Sequence, residues 1–321
     1  MKTTGRMLIV KAVSYKPRQT TPEDWSQPRI EDELRLIRSR TKKVADRHHP
    51  FMNKKINDGS RCVFINDFKD LGENGGVLFM VCSYVKGHAP EAFSPKMEEE
   101  KVDVDVVSLS DPAGDPKELA YTYRVLAFGQ ILIVENVMGS GGIAGLERLL
   151  RALLKEFHPK HHGLLQLSDI ESQDLRELIH SKNGIKEIKA KLLHDVVGTG
   201  STYGTKLSSI KQSIMGTNKC AVTWEAADDD EINVEDAMDL LDDSAFDSIS
   251  VKFNQGGGFT SLDKYRERKP VQIQITPEGR IAVSEVEAHL NSYLRDLRNP
   301  DVKGPITYNG ILRKNMKQLS K

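Results

Sequence analysis

The feature that most constrains the fold is an apolar run, Gln130–Val137, which ends in a Gly-rich segment and leads into a leucine-rich stretch. An apolar run of this length, bounded by glycines, predicts a buried β-strand. The leucines that follow share the spacing of one helix face: Leu146, Leu149, Leu150, Leu153 and Leu154. This helical pattern ends near His158-Pro159, since the residue before a proline disfavours helix. The sequence therefore predicts a strand, a tight turn and a helix that packs on a sheet.

Other segments show the same two kinds of pattern. Strand-like apolar runs are Met7–Val13, Cys62–Phe68, Val77–Tyr84, Ser248–Phe253 and Val271–Ile275. Helical spacing is found in Ile30–Ala45, 169–193 and Ser284–Leu297. Gly72-Glu-Asn-Gly-Gly76 joins two of the strands in the manner of a hairpin, and Ser284 with Glu287 has the spacing of a capping box. We therefore expect an α+β fold of antiparallel sheets with packed helices and a helical insertion.

Composition shifts along the chain suggest four regions. We expect an N-terminal α+β domain over residues 1–160 and a helical middle region over 161–227. An acidic linker is expected over 228–247, which contains ten acidic residues and no basic one. A β-hairpin, a helix and a basic tail are expected over 248–321.

The formal net charge is zero, but the charges are segregated. Residues 1–55 contain fourteen Lys and Arg against six acidic residues. A neutral chain with this pattern can present a basic face to phosphate groups while its acidic segment faces elsewhere. The pattern favours a polyanionic partner without identifying it.

Cofactor motifs do not match this sequence. The glycines after the strong strand are Gly139, Gly141, Gly142 and Gly145, which is not the dinucleotide spacing, and no Gly-Lys-Ser/Thr follows. The three cysteines, Cys62, Cys82 and Cys220, form no Cys-x-x-Cys pair, and the first two lie in apolar runs typical of buried residues. The histidines of 48–49 and 158–162 favour a solvated or phosphate-facing role over zinc binding. We expect no cofactor and no metal.

One set of residues keeps a nuclease open as an alternative. Asp169, Glu187 and Lys189 resemble the carboxylate–lysine set that holds Mg²⁺ in many nucleases, where the residues lie on adjacent strands. The helical spacing around Glu187 predicts instead that its side chain points outward. We therefore favour a protein that is not an enzyme.

The remaining signal is basic. Lys264, Arg266, Arg268 and Lys269 lie between two expected strands, directly after Gly256–Gly258. A loop there would project several cationic groups that contact the DNA backbone without reading bases. An ordinary solvated loop is the alternative. A second set lies in the expected basic tail: Arg313, Lys314 and Lys317.

The chain contains no run of the roughly 18 apolar residues that a membrane span requires. The segment after Met1 is too short and too interrupted in its apolar character for a secretory signal. We expect a cytoplasmic protein.

Several of these segments together resemble the RexA family of phage exclusion proteins. The resemblance is carried by the strand 129–139 with its Gly-centred turn and leucine-rich helix, the two upstream strands, Phe246–Ser261, and Val271-Gln-Ile-Gln-Ile followed by Glu278-Gly-Arg-Ile-Ala. It implies a fold related to the recombination-associated protein RdgC and a homodimer that binds double-stranded DNA with little sequence preference. It further implies a sensor of phage DNA that activates a membrane effector protein encoded nearby. The family's basic loop falls on Lys264, Arg266, Arg268 and Lys269.

Two other functions stay open at this point. One is a metal-dependent nuclease in the same defence setting. The other is an adaptor whose charge-segregated surface binds protein rather than DNA.

Overall fold

The structure is a computed structural model that describes residues 2–19, 21–22, 24–53, 55–88, 91–93, 104–106, 109–110, 114, 117–158, 163–170, 178–179, 181–192, 221–227, 230–232, 237, 246–259, 266–277, 279–299 and 304–313. Contacts divide the chain into two compact units. The first unit comprises residues 1–168 and 268–321, and the second comprises 169–267. The segment 248–321, expected as one region, contributes strands to both units.

The described strands, in chain order, are β1 (Thr3–Pro17), β2 (His48–His49), β3 (Arg61–Asp70), β4 (Val77–Val85), β5 (Glu91–Phe93), β6 (Val104–Val106), β7 (Ala120–Phe128), β8 (Ile131–Asn136), β9 (Gly163–Asp169), β10 (Ile185–Leu192), β11 (Ala221–Glu225), β12 (Phe246–Phe253), β13 (Gly258–Phe259) and β14 (Arg268–Gln274). The described α-helices are α1 (Ile30–Arg40), α2 (Gly142–Phe157) and α3 (Val283–Arg298), and Val44–Arg47 forms a 3-10 helix. The chain is thus a mixed α+β protein, as the sequence predicts.

The first unit is built on an eight-stranded sheet in the order β14-β1-β8-β7-β4-β3-β2, with β9 also paired to β1. The predicted hairpin is confirmed, because β3 and β4 pair antiparallel from Arg61↔Val85 to Asp70↔Val77. The long strand β1 pairs antiparallel with both β8 and β14. The smaller sheet of β5 and β6 also lies in this part of the chain.

Alternation along the central strands fills both faces of this sheet. Val125 and Val134 point to a core formed with the leucines of α2 and with Leu34 of α1. The next residues on the same strands, including Leu126 and Ile133, point to the other face and are also buried. Helix α3 contacts β7, β8 and β14. Because strands covered on both faces need apolar residues at every position, the uninterrupted apolar run of β8 is explained.

The second unit contains a four-stranded sheet in the order β11-β10-β12-β13. One face packs a small core that includes Ile188, Ala190, Val251 and Phe253. The two pairings of β10 are antiparallel. This unit has a core of its own, separate from that of the larger sheet.

The predicted helical region over 161–227 is wrong for residues 163–169, 185–192 and 221–225, which form strands β9, β10 and β11, whereas the described residues Leu178, Ile179 and Ser181 are helical. The spacing of Ile185 and Ile188 suggested a helix. A β-bulge between Ile185 and Glu187 produces that spacing, because the extra residue shifts Ile185 relative to the period of two that places Ile188 and Ala190 in the core.

Two helix boundaries also differ from prediction. Helix α1 ends at Arg40 rather than Ala45, and the Asp46 carboxylate accepts hydrogen bonds from the backbone amides of Lys42 and Lys43. Helix α3 begins at Val283 with Ala282 as its N-cap, so the predicted capping box at Ser284 is wrong. Glu287, the second residue of the predicted capping box, instead forms an ion pair with Lys69 of β3, and the distance from Nζ to Oε2 is 2.8 Å.

The expected basic tail is partly folded. Residues 304–313 pack against the turn between β7 and β8, where the Gln130 backbone N–H donates to the Gly310 carbonyl over 2.8 Å. Ile306 and Leu312 are buried and form a β-bridge. Arg313 therefore lies at the edge of a packed segment, while Lys314 and Lys317 lie outside the described residues.

Candidate nucleic-acid interface

The predicted basic loop does not form one surface within either unit. Arg266 belongs to the second unit, where its Nε lies 3.2 Å from Oδ2 of Asp169. Arg268 and Lys269 begin β14 in the first unit. Consecutive strand residues point to opposite faces, so these two side chains diverge. Lys264 lies outside the described residues.

Acidic or backbone groups already hold three of the four predicted cations that the structure describes. The Lys269 ammonium lies 2.6 Å from Asp296 and 5.5 Å from the ring centroid of Tyr293. Arg313 is exposed, but its Nε donates to the Gly304 carbonyl over 2.7 Å. Arg268 is exposed, and no described residue forms an ion pair with it. Among the described members of this set, Arg268 retains the most freedom to meet a phosphate.

A different basic site lies at the C-terminal end of α2. It is a pocket of about 220 Å³, which we call the α2 pocket. Its described lining combines basic and apolar residues with one glycine: Arg18, Arg151, Leu154, Lys155, His158, Gly163, Leu164 and Leu165. No carboxylate is among these lining residues.

Arg151 is fixed in place by its neighbours. Its Nε donates to the Leu165 carbonyl over 2.6 Å, and its Nη2 donates to Glu147 over 2.6 Å. The same Glu147 carboxylate accepts the Leu167 backbone N–H over 3.2 Å. These bonds connect α2 to β9 and hold the guanidinium at the pocket wall. A preordered cation loses little side-chain entropy when it binds an anion.

His158 follows the last turn of α2 and lines the α2 pocket. Its backbone N–H donates to the Leu154 carbonyl over 2.9 Å, which ends the helix. Its Nδ1 lies 2.7 Å from Oε2 of Glu33, a buried residue of α1. The Glu33 carboxylate therefore orients the imidazole, and a proton on Nδ1 makes this a donated hydrogen bond.

Arg18 and Lys155 supply the remaining charge. Both are exposed, and no described residue forms an ion pair with either side chain. Arg18 lies after β1, where its backbone N–H is held by Thr21 Oγ1 at 2.7 Å. Cations at a helix C-terminus are favoured by the helix dipole, which accounts for Lys155 without a ligand. That explanation does not extend to Arg18, which comes from another part of the chain.

The sequence argument against the nuclease alternative is not supported by the structure. Glu187 lies on a strand, so the helical reason for pointing it outward is wrong. Its carboxylate pairs with Lys252 at 2.8 Å, while Asp169 pairs with Arg266. Within the described residues, no group of three or more His, Cys, Asp or Glu side chains is placed to hold a metal ion.

The remaining cysteine and histidine predictions have mixed outcomes. Cys62 and Cys82 are buried free thiols, as predicted, and Cys220 lies outside the described residues. His48 is buried, which corrects the expectation of a solvated role. Its ring stacks on Phe64 at 5.8 Å between centroids.

Sequence reasoning noticed His158 but missed the other cations of the α2 pocket. Arg18 was part of the basic excess over residues 1–55. Arg151 and Lys155 are spaced four residues apart beside the leucine face, which places them on one side of the helix. That spacing was the available signal, but nothing in the sequence brings Arg18 next to them.

No protein-family model matches this sequence, and no curated protein matches it at a significant level. In the part of the chain that the structure describes, every helix is too short or too polar to cross a lipid bilayer.

Proposed function

We propose that this protein binds double-stranded DNA without sequence preference and acts, without catalysis, as a sensor in phage exclusion. The observation that carries the DNA-binding part is the α2 pocket, where four basic side chains converge and no carboxylate is among the described lining residues. The resemblance to RexA supports the defence setting, the homodimer, the RdgC-related fold and the membrane effector encoded nearby.

The chemistry of the α2 pocket suits a phosphate. Guanidinium and ammonium groups donate charge-assisted hydrogen bonds to phosphate oxygens, and an arginine can do so with two parallel bonds. Such contacts hold a protein on the DNA backbone and carry no base information. Arg268 and Arg313, which are exposed, are further candidates for contacts of this kind.

A salt-titrated binding assay tests the proposal. Fluorescence anisotropy on a labelled duplex is measured for the wild type and for the Arg18→Gln/Lys155→Gln variant. Each lost phosphate contact should reduce the steepness of log K against log salt by about 0.9, and affinity should fall about tenfold or more. Arg151 is left intact because its bonds to Glu147 and Leu165 also stabilise the fold.

The matched control is Lys2→Gln/Arg280→Gln, which removes the same charges from exposed positions outside the α2 pocket. We expect the control to bind nearly as the wild type does. If the wild-type protein binds no duplex in low-salt buffer, the proposal is wrong. If it instead binds a protein ligand in a salt-dependent way, it is an adaptor. Equal weakening of both variants would show that total charge, and not the α2 pocket, determines binding.

A further inference from the structure

The second unit carries lysines on the outer face of its sheet. Along β10, Ile188 and Ala190 face the core, and Lys189 and Lys191 are exposed on the opposite face. The register places Lys189 between Thr223 of β11 and Ser250 of β12. The basic side chains thus lie over the middle of the sheet.

The usual role of lysine in a sheet does not explain this placement. Lysines often protect an edge strand from pairing with another chain. Strand β10 is not an edge, because it is paired with β11 on one side and β12 on the other. Lysine is also a poor strand former, so the two residues contribute little to the strand itself.

No described carboxylate forms an ion pair with either lysine of this pair, although two carboxylates lie on the same face. Lys189 lies between neutral Thr223 and Ser250, Glu187 lies two residues before it, and Glu225 lies opposite Glu187. Lys252 on the same face shows the contrasting case, since it pairs with Glu187 at 2.8 Å. Two like charges two residues apart on a strand, about 6.6 Å along it, repel each other. A bound polyanion would remove that repulsion.

We propose that Lys189 and Lys191 form a second phosphate-binding surface for nucleic acid, and this inference rests on the proposed function. Their spacing along β10 is comparable to the distance between neighbouring phosphates on one DNA strand. Thr223 is exposed next to Lys189, and its hydroxyl can donate to a phosphate oxygen. The protein then holds DNA through one contact surface in each unit, and the two surfaces contribute separately to affinity.

The test is a salt-titrated duplex-binding assay on Lys189→Gln/Lys191→Gln. The glutamines retain the length and polarity of the side chains, and far-ultraviolet circular dichroism checks the fold. We expect the slope of log K against log salt to become less steep by about 1.8, which corresponds to two contacts. Lys2→Gln/Lys55→Gln, which removes two exposed lysines of the first unit, is the control and should leave the slope unchanged.

The outcomes separate this inference from the function on which it rests. If the β10 variant binds like the wild type while Arg18→Gln/Lys155→Gln is weakened, the second surface is excluded and the proposed function stands. If the wild type binds no duplex, both the second surface and the proposed function are wrong. A variant that combines Arg18→Gln/Lys155→Gln with Lys189→Gln/Lys191→Gln should show the sum of the two slope changes if both surfaces contact phosphates independently.

Discussion

Lys269 and Asp296 form a 2.6 Å ion pair that joins the start of β14 to the last turn of α3. The same ammonium lies over Tyr293, the residue three positions before Asp296. Both contacts hold Lys269 against the first unit's own helix. Sequence reasoning had placed this lysine in a DNA-binding loop.

A Lys269→Ala variant should therefore affect stability more than DNA binding. A partly exposed ion pair contributes up to about 1 kcal/mol, and the ring contact adds about 0.5–1 kcal/mol. We expect urea unfolding to show a loss of about 1 kcal/mol. Duplex affinity should stay within about twofold of the wild type at moderate salt. If Lys269→Ala loses as much duplex affinity as Arg18→Gln/Lys155→Gln, Lys269 contacts DNA after all.

The buried Glu135 carboxylate should be important for stability. It lies 3.5 Å from Arg6 and 3.6 Å from Arg124, and it accepts the Arg124 backbone N–H over 3.1 Å. Burial raises the pKa of Glu135 although both guanidiniums oppose the shift. Glu135→Ala would leave two cations without a counter-charge and cost about 3–5 kcal/mol.

Chemical denaturation of Glu135→Ala and Glu135→Gln measures this contribution. The glutamine retains an acceptor for the Arg124 amide, so its loss should be smaller. The exposed Glu156→Ala serves as a control and should change stability by less than about 0.5 kcal/mol. Similar losses in the alanine and glutamine variants would show that the acceptor is not what matters.

The buried His48 should make stability depend on pH. Its Nδ1–H donates to the Pro50 carbonyl over 2.5 Å, so Nε2 accepts the Tyr84 hydroxyl over 2.9 Å. Burial lowers the pKa of His48, so the folded state takes up a proton less readily than the unfolded chain. As pH falls below the ordinary value of about 6.5, the unfolded state is protonated first and the free energy of unfolding decreases.

Urea unfolding at several pH values between 7.5 and 5 checks this sign. His48 alone can contribute up to about 1.4 kcal/mol per pH unit within the interval between its two pKa values. His48→Gln has no titrating ring and should show a shallower decrease with falling pH. An unchanged slope in that variant would assign the pH dependence to other groups.

The contact between Gly129 and Gly310 should tolerate no side chain. A Cβ on Gly310 would lie 2.8 Å from the Phe128 ring, and Gly310 has a φ of +78°. Gly310→Ala therefore combines backbone strain of about 1–3 kcal/mol with a clash of similar size. Gly59, with a φ of +81° and no described atom within 4 Å of an added Cβ, is the matched control. Thermal unfolding should show a clearly larger loss for Gly310→Ala than for Gly59→Ala.

Plasmid incubated with Mg²⁺ or Mn²⁺ should remain intact. The Glu187 carboxylate is paired with Lys252, and the described residues offer no metal-binding cluster. Agarose electrophoresis over several hours is the measurement. Cleavage that disappears in Glu187→Ala would replace the non-enzymatic proposal with a nuclease.

The sequence predicted the elements of the first unit better than those of the second. Apolar runs such as β8 and the leucine face of α2 have strong periods, because both contact a large core. In β10 the bulge after Ile185 places Ile185 and Ile188 three residues apart on the buried side, which is also the spacing of a helix face. Local spacing cannot distinguish a bulged strand from a helix when the buried residues are few.

The candidate interface was less predictable than the fold. Lysine and arginine runs identify charge, but the chain's own carboxylates decide which charges are available. Asp169 forms an ion pair with Arg266, and Asp296 forms one with Lys269, although each aspartate lies far from its partner in sequence. The α2 pocket depends on a similar long-range encounter, because Arg18 and Lys155 meet only after folding.

The pairing of β1 with β14 bears on how the chain matures during synthesis. A ribosome releases β1 before the second unit and β14 only after the whole second unit has emerged. Until then, one flank of the nascent β1 keeps backbone groups that β14 will later bind, and the surface under α3 stays open to water. A nonsense mutation ahead of β14 would make both defects permanent, and such products are expected to self-associate and to be degraded.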